Sequence, residues 1–441
     1  MWRSLKRGTL EKEERDDPPR FPLTSFLGLF YPVPKERHIS ILGPYRARGG
    51  FMTARTCFIV LLIVLASGAL VSTDALAQQP LKIGVILPMS GPFASSIGQQ
   101  VYLGAKLYVA QHGDVVADRK IELLLRDDAS VPETTKRIAQ ELVTNDHAEI
   151  LAGFGLTPLA FAAAPIATAA KTPMIVMAAG TLVIPEKSPY IMRTSFTLPQ
   201  QTAPIAVWAP KHGMKKVFTL VTDYGPGIDS ENTFLRVFKE NGGQVLGSVR
   251  VPLQNPDYAP FVQRAKEAKP DALFIFVPAG EGAAVIKECA ERGLPQSGIK
   301  IIGPGDVMDD DLLDGMGDPV IGAITSHFYS AAHPSPENKA YVAAFEKANP
   351  GRRPNFMSVS GYDGMALVYQ VLGKTNGSAD GDKFLSIAKG LSWMSPRGKM
   401  TIDPQSRDVV QDVYIREVKR VNGHLFNIEF DRIPSVQPDG K

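Results

Sequence analysis

The chain reads as an α/β protein: two units in tandem, each a mostly parallel sheet with helices on both faces. Three observations predict this. Short, continuously apolar segments of strand length alternate with amphipathic segments of helix length, the pattern of parallel strands buried on both faces. The rhythm pauses near Ser195 and then restarts. An export segment at the N-terminus leaves residues 78–441 as the mature chain, more than one hydrophobic core usually spans.

The first unit opens with the strand Leu81–Leu87, broken by Pro88, and a helix pattern follows from Gly98 to about Gln111. A strand at Ile121–Leu125 precedes a helix at Pro132–Thr144, which proline suits at its first turn. Ile150–Gly153 reads as a strand, the alanine-rich Leu159–Ala170 as a helix, and Pro173–Met177 as a strand. In the second unit, strand Val217–Val221 leads into helix Ile228–Asn241, ended by Gly242 and Gly243. Strand Val245–Val251, helix Tyr258–Ala268, strand Ala272–Val277 and helix Gly282–Arg292 follow, then strand Ile299–Ile302. Helices at Glu337–Ala348 and Met357–Leu372 precede closing strands at Val410–Val421 and Leu425–Phe430.

The export segment is the apolar run Phe58–Val71, with Arg55 ahead of it and Ala75-Leu76-Ala77 behind, the layout of a cleavable signal peptide. Its 14 residues make a helix of roughly 21 Å, short against a bilayer core of about 30 Å. The signal therefore occupies residues 52–77. Residues 1–51 show no sustained period, and we expect translation to begin at Met52; the alternative is an unusually long basic region ahead of the signal. Without residues 1–77 the chain carries 37 Lys and Arg against 38 Asp and Glu, so no basic surface points to nucleic acid or an anionic membrane. Cys57 leaves with the signal, and because it precedes the apolar run it is not a lipid-anchoring cysteine. Cys289 is left alone, so no internal disulfide forms. A soluble periplasmic protein is expected.

Parallel α/β sheets bind ligands beyond the carboxyl ends of their strands. Four loops occupy such places: Pro88–Gln99, Gly153–Pro158, Ala178–Thr181 and Asp223–Gly227. Thr157 and Thr181 stand where hydroxyls and free backbone amides can hold an anion at a helix start; each alone also reads as an ordinary N-cap. Tyr224 offers an aromatic wall with a hydroxyl, and Glu281 a carboxylate suited to an ammonium group or simply to helix-start electrostatics.

Enzyme motifs are absent or incomplete. Gly373-Lys374-Thr375 lacks the leading glycine and the preceding strand of a phosphate loop, and Ser386-Ile387-Ala388-Lys389 lacks companion motifs. The histidines are dispersed, with no spacing for zinc, so neither a metal nor a cofactor is expected.

The ordered set Pro88-Met89-Ser90-Gly91-Pro92, Gly153-Phe154-Gly155-Leu156-Thr157, Ala178-Ala179-Gly180-Thr181, Tyr190-Ile191-Met192-Arg193-Thr194, Asp223-Tyr224-Gly225, Ser395-Pro396-Arg397-Gly398 and Asp403-Pro404 resembles the branched-chain amino-acid-binding family of ABC-importer solute receptors. The resemblance covers essentially the whole mature chain. It implies a type I periplasmic binding fold whose two lobes, 81–195 with 326–411 and 196–325 with 412–434, are joined by three crossovers and close on a small ligand. It implies no enzymatic activity, a permease partner at the inner membrane and a monomeric receptor. Thr157 and Thr181 match positions that hold a ligand carboxylate, and Tyr224 and Glu281 positions near an ammonium; Gly155, Gly180, Phe93 and Ser96 are expected beside the ligand. Ile97 replaces a tyrosine frequent in amino-acid receptors, and Ser130 and Leu156 stand where some relatives carry a disulfide. Phe93, Phe154, Phe276, Phe328 and Tyr329 would make the cleft aromatic, so a carboxylate ligand without an amino group rivals an amino acid. A ligand-sensing subunit of a signalling system is the alternative to transport.

Overall fold

Strand β1 (Leu81–Leu87) shows the packing rule that organises the molecule. Ile83, Val85 and Leu87 enter one apolar cluster, whereas Ile86 enters another on the opposite face. The same division recurs along β4, β5 and β6, as period-two side-chain alternation requires of a sheet covered on both sides. In this computed structural model the described residues are 79–441; the readings made for residues 1–51 and for the signal at 52–77 lie outside them.

The first lobe is built on six strands in the order β2-β3-β1-β4-β5-β6. Here β2 is Val115–Val116, β3 Arg119–Asp127, β4 Ile150–Gly153, β5 Met174–Val176 and β6 Ile191–Arg193. All neighbours are parallel except the β2–β3 pair. The second lobe contains β7 (Lys216–Thr222), β8 (Gln244–Val251), β9 (Ala272–Phe276), β10 (Lys300–Pro304) and β11 (Ile324–His327), in the parallel order β8-β7-β9-β10-β11. An antiparallel extension continues from β11 through β14 (Val409–Val421), which also pairs with β13 (Gly398–Ile402) and β15 (His424–Val436); β12 (Ser392–Ser395) borders β13. On β9, Phe274 and Phe276 enter one cluster and Leu273 and Ile275 the other. Each such full burial stabilises the fold by about 1.5–3 kcal/mol.

The chain passes between lobes after β6, after β11 and before β14. Between the second and third crossings, helix Phe356–Thr375 returns to the first lobe and packs on helix Gln100–His112. Close approach requires glycine on both: a Cβ at Gly104 would overlap the Ser358 carbonyl, and one at Gly361 the Val101 carbonyl. Arg397 gathers the crossings. Its buried guanidinium donates to the carbonyls of Thr194 and Ser195, pairs with Asp363 at 2.9 Å, and lies 4.4 Å over the Phe328 ring. This explains why the Arg193-Thr194 and Ser395–Gly398 segments stand out in the sequence.

The α/β alternation is found as expected, with additions. Helix Leu198–Lys211 was not anticipated, because Pro204 and Pro210 lie inside it and each removes a helical donor. Its start is nevertheless well made: the Thr197 hydroxyl accepts from the Gln200 amide at 3.1 Å. Strands β6 and β11 are only three and four residues long, too short for periodicity to reveal. The strand expected at Leu425–Phe430 runs on to Val436 as the edge partner of β14. No described helix is long and apolar enough to cross a membrane. Cys289 is free and buried.

Candidate functional site

The carboxyl ends of the parallel strands in both lobes face one another across a narrow cavity. Its walls come from Ile97, from Gly155, Leu156 and Thr157, from Ala178 to Gly180, and from Phe196, Leu198 and Met357. The second lobe adds Tyr224, Pro226, Phe276, Pro278, Ala279 and Asp306. In this closed state the cavity measures only about 20 Å³, room for about one water, so its walls must move apart to admit a solute.

One end is shaped by the start of helix Thr157–Ala170. Gly153 has φ 108°, a conformation that favours glycine, and turns the chain sharply out of β4. Thr157 then occupies the first helical position, where its amide has no acceptor within the helix. Its hydroxyl meets that of Thr181 at 2.8 Å, both buried. The loop carrying Thr181 is held from below by Arg193, whose Nη1 donates to the carbonyls of Ala179 (3.0 Å) and Thr181 (2.8 Å). Arg193 is in turn paired with Asp408 at 2.6 Å, both side chains essentially removed from water. The result is two fixed hydroxyls beside a helix N-terminus, a place that favours an anion.

The other lobe supplies an aromatic wall and an acid. Tyr224 lies roughly parallel to Phe276, ring centroids 6.1 Å apart. Burial, with the nearby Asp306 charge, pushes the Tyr224 phenol well above its ordinary pKa, so it stays protonated. Asp306 stands two residues past β10 and is buried; desolvation raises its carboxyl to about 7, against the opposing effects of its own backbone amide and of Arg416.

The lobes are closed on this cavity. Leu182 N–H donates to Asp229 Oδ2 across the gap at 2.8 Å, and Gly225 sits so near the threonines that a Cβ there would lie 2.5 Å from Thr181 Oγ1. On the other flank Asp311 accepts from Gln100 (3.1 Å), Asn355 (3.3 Å) and Ser96 (3.4 Å). Arg353 donates to the carbonyls of Asp310 and Leu425 at 3.1 and 2.7 Å.

Among the residues expected beside a ligand, Thr157, Tyr224, Gly155 and Gly180 line the cavity, and Thr181 joins it through the Thr157 hydroxyl. Phe93 packs in the core, Ser96 bonds across the lobes, and Glu281 accepts from Tyr258 Oη at 3.3 Å; none of the three lines the cavity. Phe276 lines it, whereas Phe154, Phe328 and Tyr329 are core. The apolar pattern ends this strand at Ile302, whereas the strand runs to Pro304 and Asp306 lies two residues beyond it, outside the reach of periodicity. An acid just past a Pro-Gly break at a strand's carboxyl end was the available signal. Phe196, Leu198 and Met357 came from a crossover and two helix starts, outside the post-strand loops. Among the described residues no cluster of His, Cys, Asp and Glu is arranged to hold a metal ion.

Residues 80–424 match the family model described as periplasmic binding protein. A solute-binding protein of an ABC transporter from Rhodopseudomonas palustris BisB5, solved in complex with 3,4-dihydroxybenzoic acid, is 56% identical. It covers 81% of this chain and 98% of its own, with TM-score 0.80. Another from R. palustris HaA2, in complex with p-hydroxybenzoic acid, is 41% identical, covers 82% and 98%, and has TM-score 0.79. The Leu/Ile/Val-binding protein homolog 6 of Brucella abortus is 40% identical over 375 residues, 84% of this chain and 95% of its own length. These relatives are binding proteins, not enzymes. The chain belongs to the periplasmic binding protein family, as a solute-binding protein of the branched-chain amino-acid-binding type with the type I fold.

Proposed function

We propose that the protein is the periplasmic receptor of an ABC importer and that its solute is an aromatic carboxylic acid of the benzoate class. The observation that carries this reading is the cavity wall. A fixed hydroxyl pair beside an unpartnered helix amide suits a carboxylate, and Ile97, Phe196, Phe276 and Met357 suit a flat apolar ring. An amino acid would also need a partner for its ammonium: Glu281 is engaged with Tyr258 away from the cavity, and the acid in the wall, Asp306, is raised by burial to about 7 and so is a poor holder of a cation. The hydroxybenzoate complexes of the two R. palustris relatives support the same choice.

Capture proceeds by lobe closure: the ligand touches both lobes and so stabilises the closed state over the open one. The receptor then delivers its solute, as a monomer, to permease subunits at the inner membrane. A cleavable signal at residues 52–77 accounts for export. The test is a thermal-shift screen of benzoate-like acids against leucine, isoleucine and valine. A ligand at 100 times its Kd stabilises by about 2.7 kcal/mol, easily seen as a rise in Tm. Aromatic acids alone should raise Tm; stabilisation by the aliphatic amino acids alone would overturn the reading.

A further inference from the structure

At the second-lobe side of the cavity stands a polar pair that the carboxylate end does not explain. Asp306 lines the cavity and is 3% exposed, yet its Oδ2 has no hydrogen-bond partner. Behind it His327, 0% exposed, has neither ring nitrogen hydrogen-bonded, and its Nε2 lies 3.6 Å from that same Oδ2, just beyond bonding distance. Buried polar atoms are nearly always satisfied, and leaving one unpaired is destabilising. Nothing in the rest of the cavity wall supplies the missing partner: Phe196, Leu198, Phe276 and Pro278 are apolar, and of the two wall hydroxyls, those of Tyr224 and Thr157, the latter is bonded to Thr181.

Resting on the aromatic-acid reading, we propose that Asp306, positioned by His327, is the specificity-determining residue that accepts a hydrogen bond from a ring hydroxyl of the ligand, so that hydroxylated benzoates are selected over benzoate itself. A hydroxyl fits this place better than an ammonium would. Burial, and after it the charges of Arg416 and Arg397, keep His327 uncharged, and the same two guanidiniums disfavour a ligand cation beside it. A phenol brings a donor without a charge, and it can bond the free Asp306 oxygen whether that carboxyl is ionised or protonated on its other oxygen. A buried acceptor left unpaired by the wrong ligand is also a strong discriminator: sites built to bond a hydroxyl reject analogues lacking it far more sharply than apolar pockets reject an extra methylene.

The test is a calorimetric series on the purified protein with benzoate, 4-hydroxybenzoate, 3,4-dihydroxybenzoate and leucine, repeated on Asp306→Leu and Asp306→Asn. Wild type should bind a hydroxylated acid at least tenfold more tightly than benzoate. Asp306→Leu should erase that preference by weakening the hydroxylated acids while holding or improving benzoate. If Asp306→Leu does not fold, Asp306→Asn carries the test, because an amide loses the charge and should narrow the preference at least threefold. His327→Gln should narrow it too. Equal wild-type affinities for benzoate and its hydroxy derivatives, or a preference unchanged in the Asp306 variants, overturns the assignment and leaves the aromatic-acid reading standing. Leucine binding with no aromatic acid bound overturns both.

Discussion

The Arg193 guanidinium meets the Asp408 carboxylate at 2.6 Å in a site that water does not reach, and the same guanidinium carries the loop of Thr181 on its other nitrogens. One buried ion pair thus links the segment leading into β14 to the proposed carboxylate grip. Breaking one partner of such a pair leaves an uncompensated charge and typically costs about 3–5 kcal/mol, whereas replacing both with apolar groups is often nearly neutral. Arg193→Met should therefore lower unfolding free energy by roughly that amount in denaturant titration, and Arg193→Met with Asp408→Leu should recover much of it. Ligand affinity should stay weak in both, because the Thr181 loop has lost its support. An Arg193→Met protein of wild-type stability would show that the pair contributes nothing.

Thr157 has a sharper prediction. Thr157→Val keeps the shape and removes the hydroxyl, so a bound carboxylate loses one donor. Hydrogen bonds to charged groups contribute about 1.5–3 kcal/mol, which is roughly 10- to 100-fold in Kd. Calorimetry with an aromatic acid should show that loss, and Thr157→Ser should restore most of the affinity. Unchanged binding by Thr157→Val would remove the threonine pair from the site.

Gly225 tests closure separately from chemistry. A Cβ there falls 2.5 Å from Thr181 Oγ1, but only when the lobes are shut. Gly225→Ala should weaken binding while leaving the Tm of the ligand-free protein within a degree or two. Small-angle scattering should show less compaction on adding ligand than for wild type. Full compaction would mean the contact yields easily.

The second-lobe acids set a pH dependence whose sign is unusual. Burial raises Asp306 to about 7 and Asp310 to about 6, against about 3.9 in an unfolded chain. Between those values the native state binds more protons than the unfolded one, so stability falls as pH rises. The ligand-free protein should melt higher near pH 5 than near pH 8, with most of the change between about pH 4 and 7. Asp306→Asn should flatten the slope. A Tm that climbs steadily from pH 5 to 8 would contradict the burial of these carboxyls.

The sequence disclosed the fold wherever a strand or helix was long enough for its period to show. Helix Pro132–Thr144 was expected with its observed bounds, and the loops at 153–158 and 178–181 fell at strand ends, as the crevice rule requires. What escaped was set by tertiary context. Pro204 and Pro210 hid a helix that packing holds together, and short strands such as β6 are defined by their neighbours more than by their own residues. The candidate site was half legible for the same reason. Thr157 and Thr181 advertise themselves as hydroxyls at helix and loop starts, and Tyr224 as an aromatic after a strand. Asp306 lies past the end of the strand that periodicity marks, so only the Pro304-Gly305 break before it hints at a place in the crevice. Ser96 illustrates the converse: its loop drew it toward the ligand, but in the closed molecule its hydroxyl faces Asp311 across the lobes.

The most direct measurement is a crystal structure of the protein with 4-hydroxybenzoate bound. The acid should lie between the lobes, its carboxylate on the Thr157 amide and hydroxyl, and its ring against Phe276 and Phe196. A ligand seated outside that cavity, or one lying in it without touching Thr157, would rule out this site.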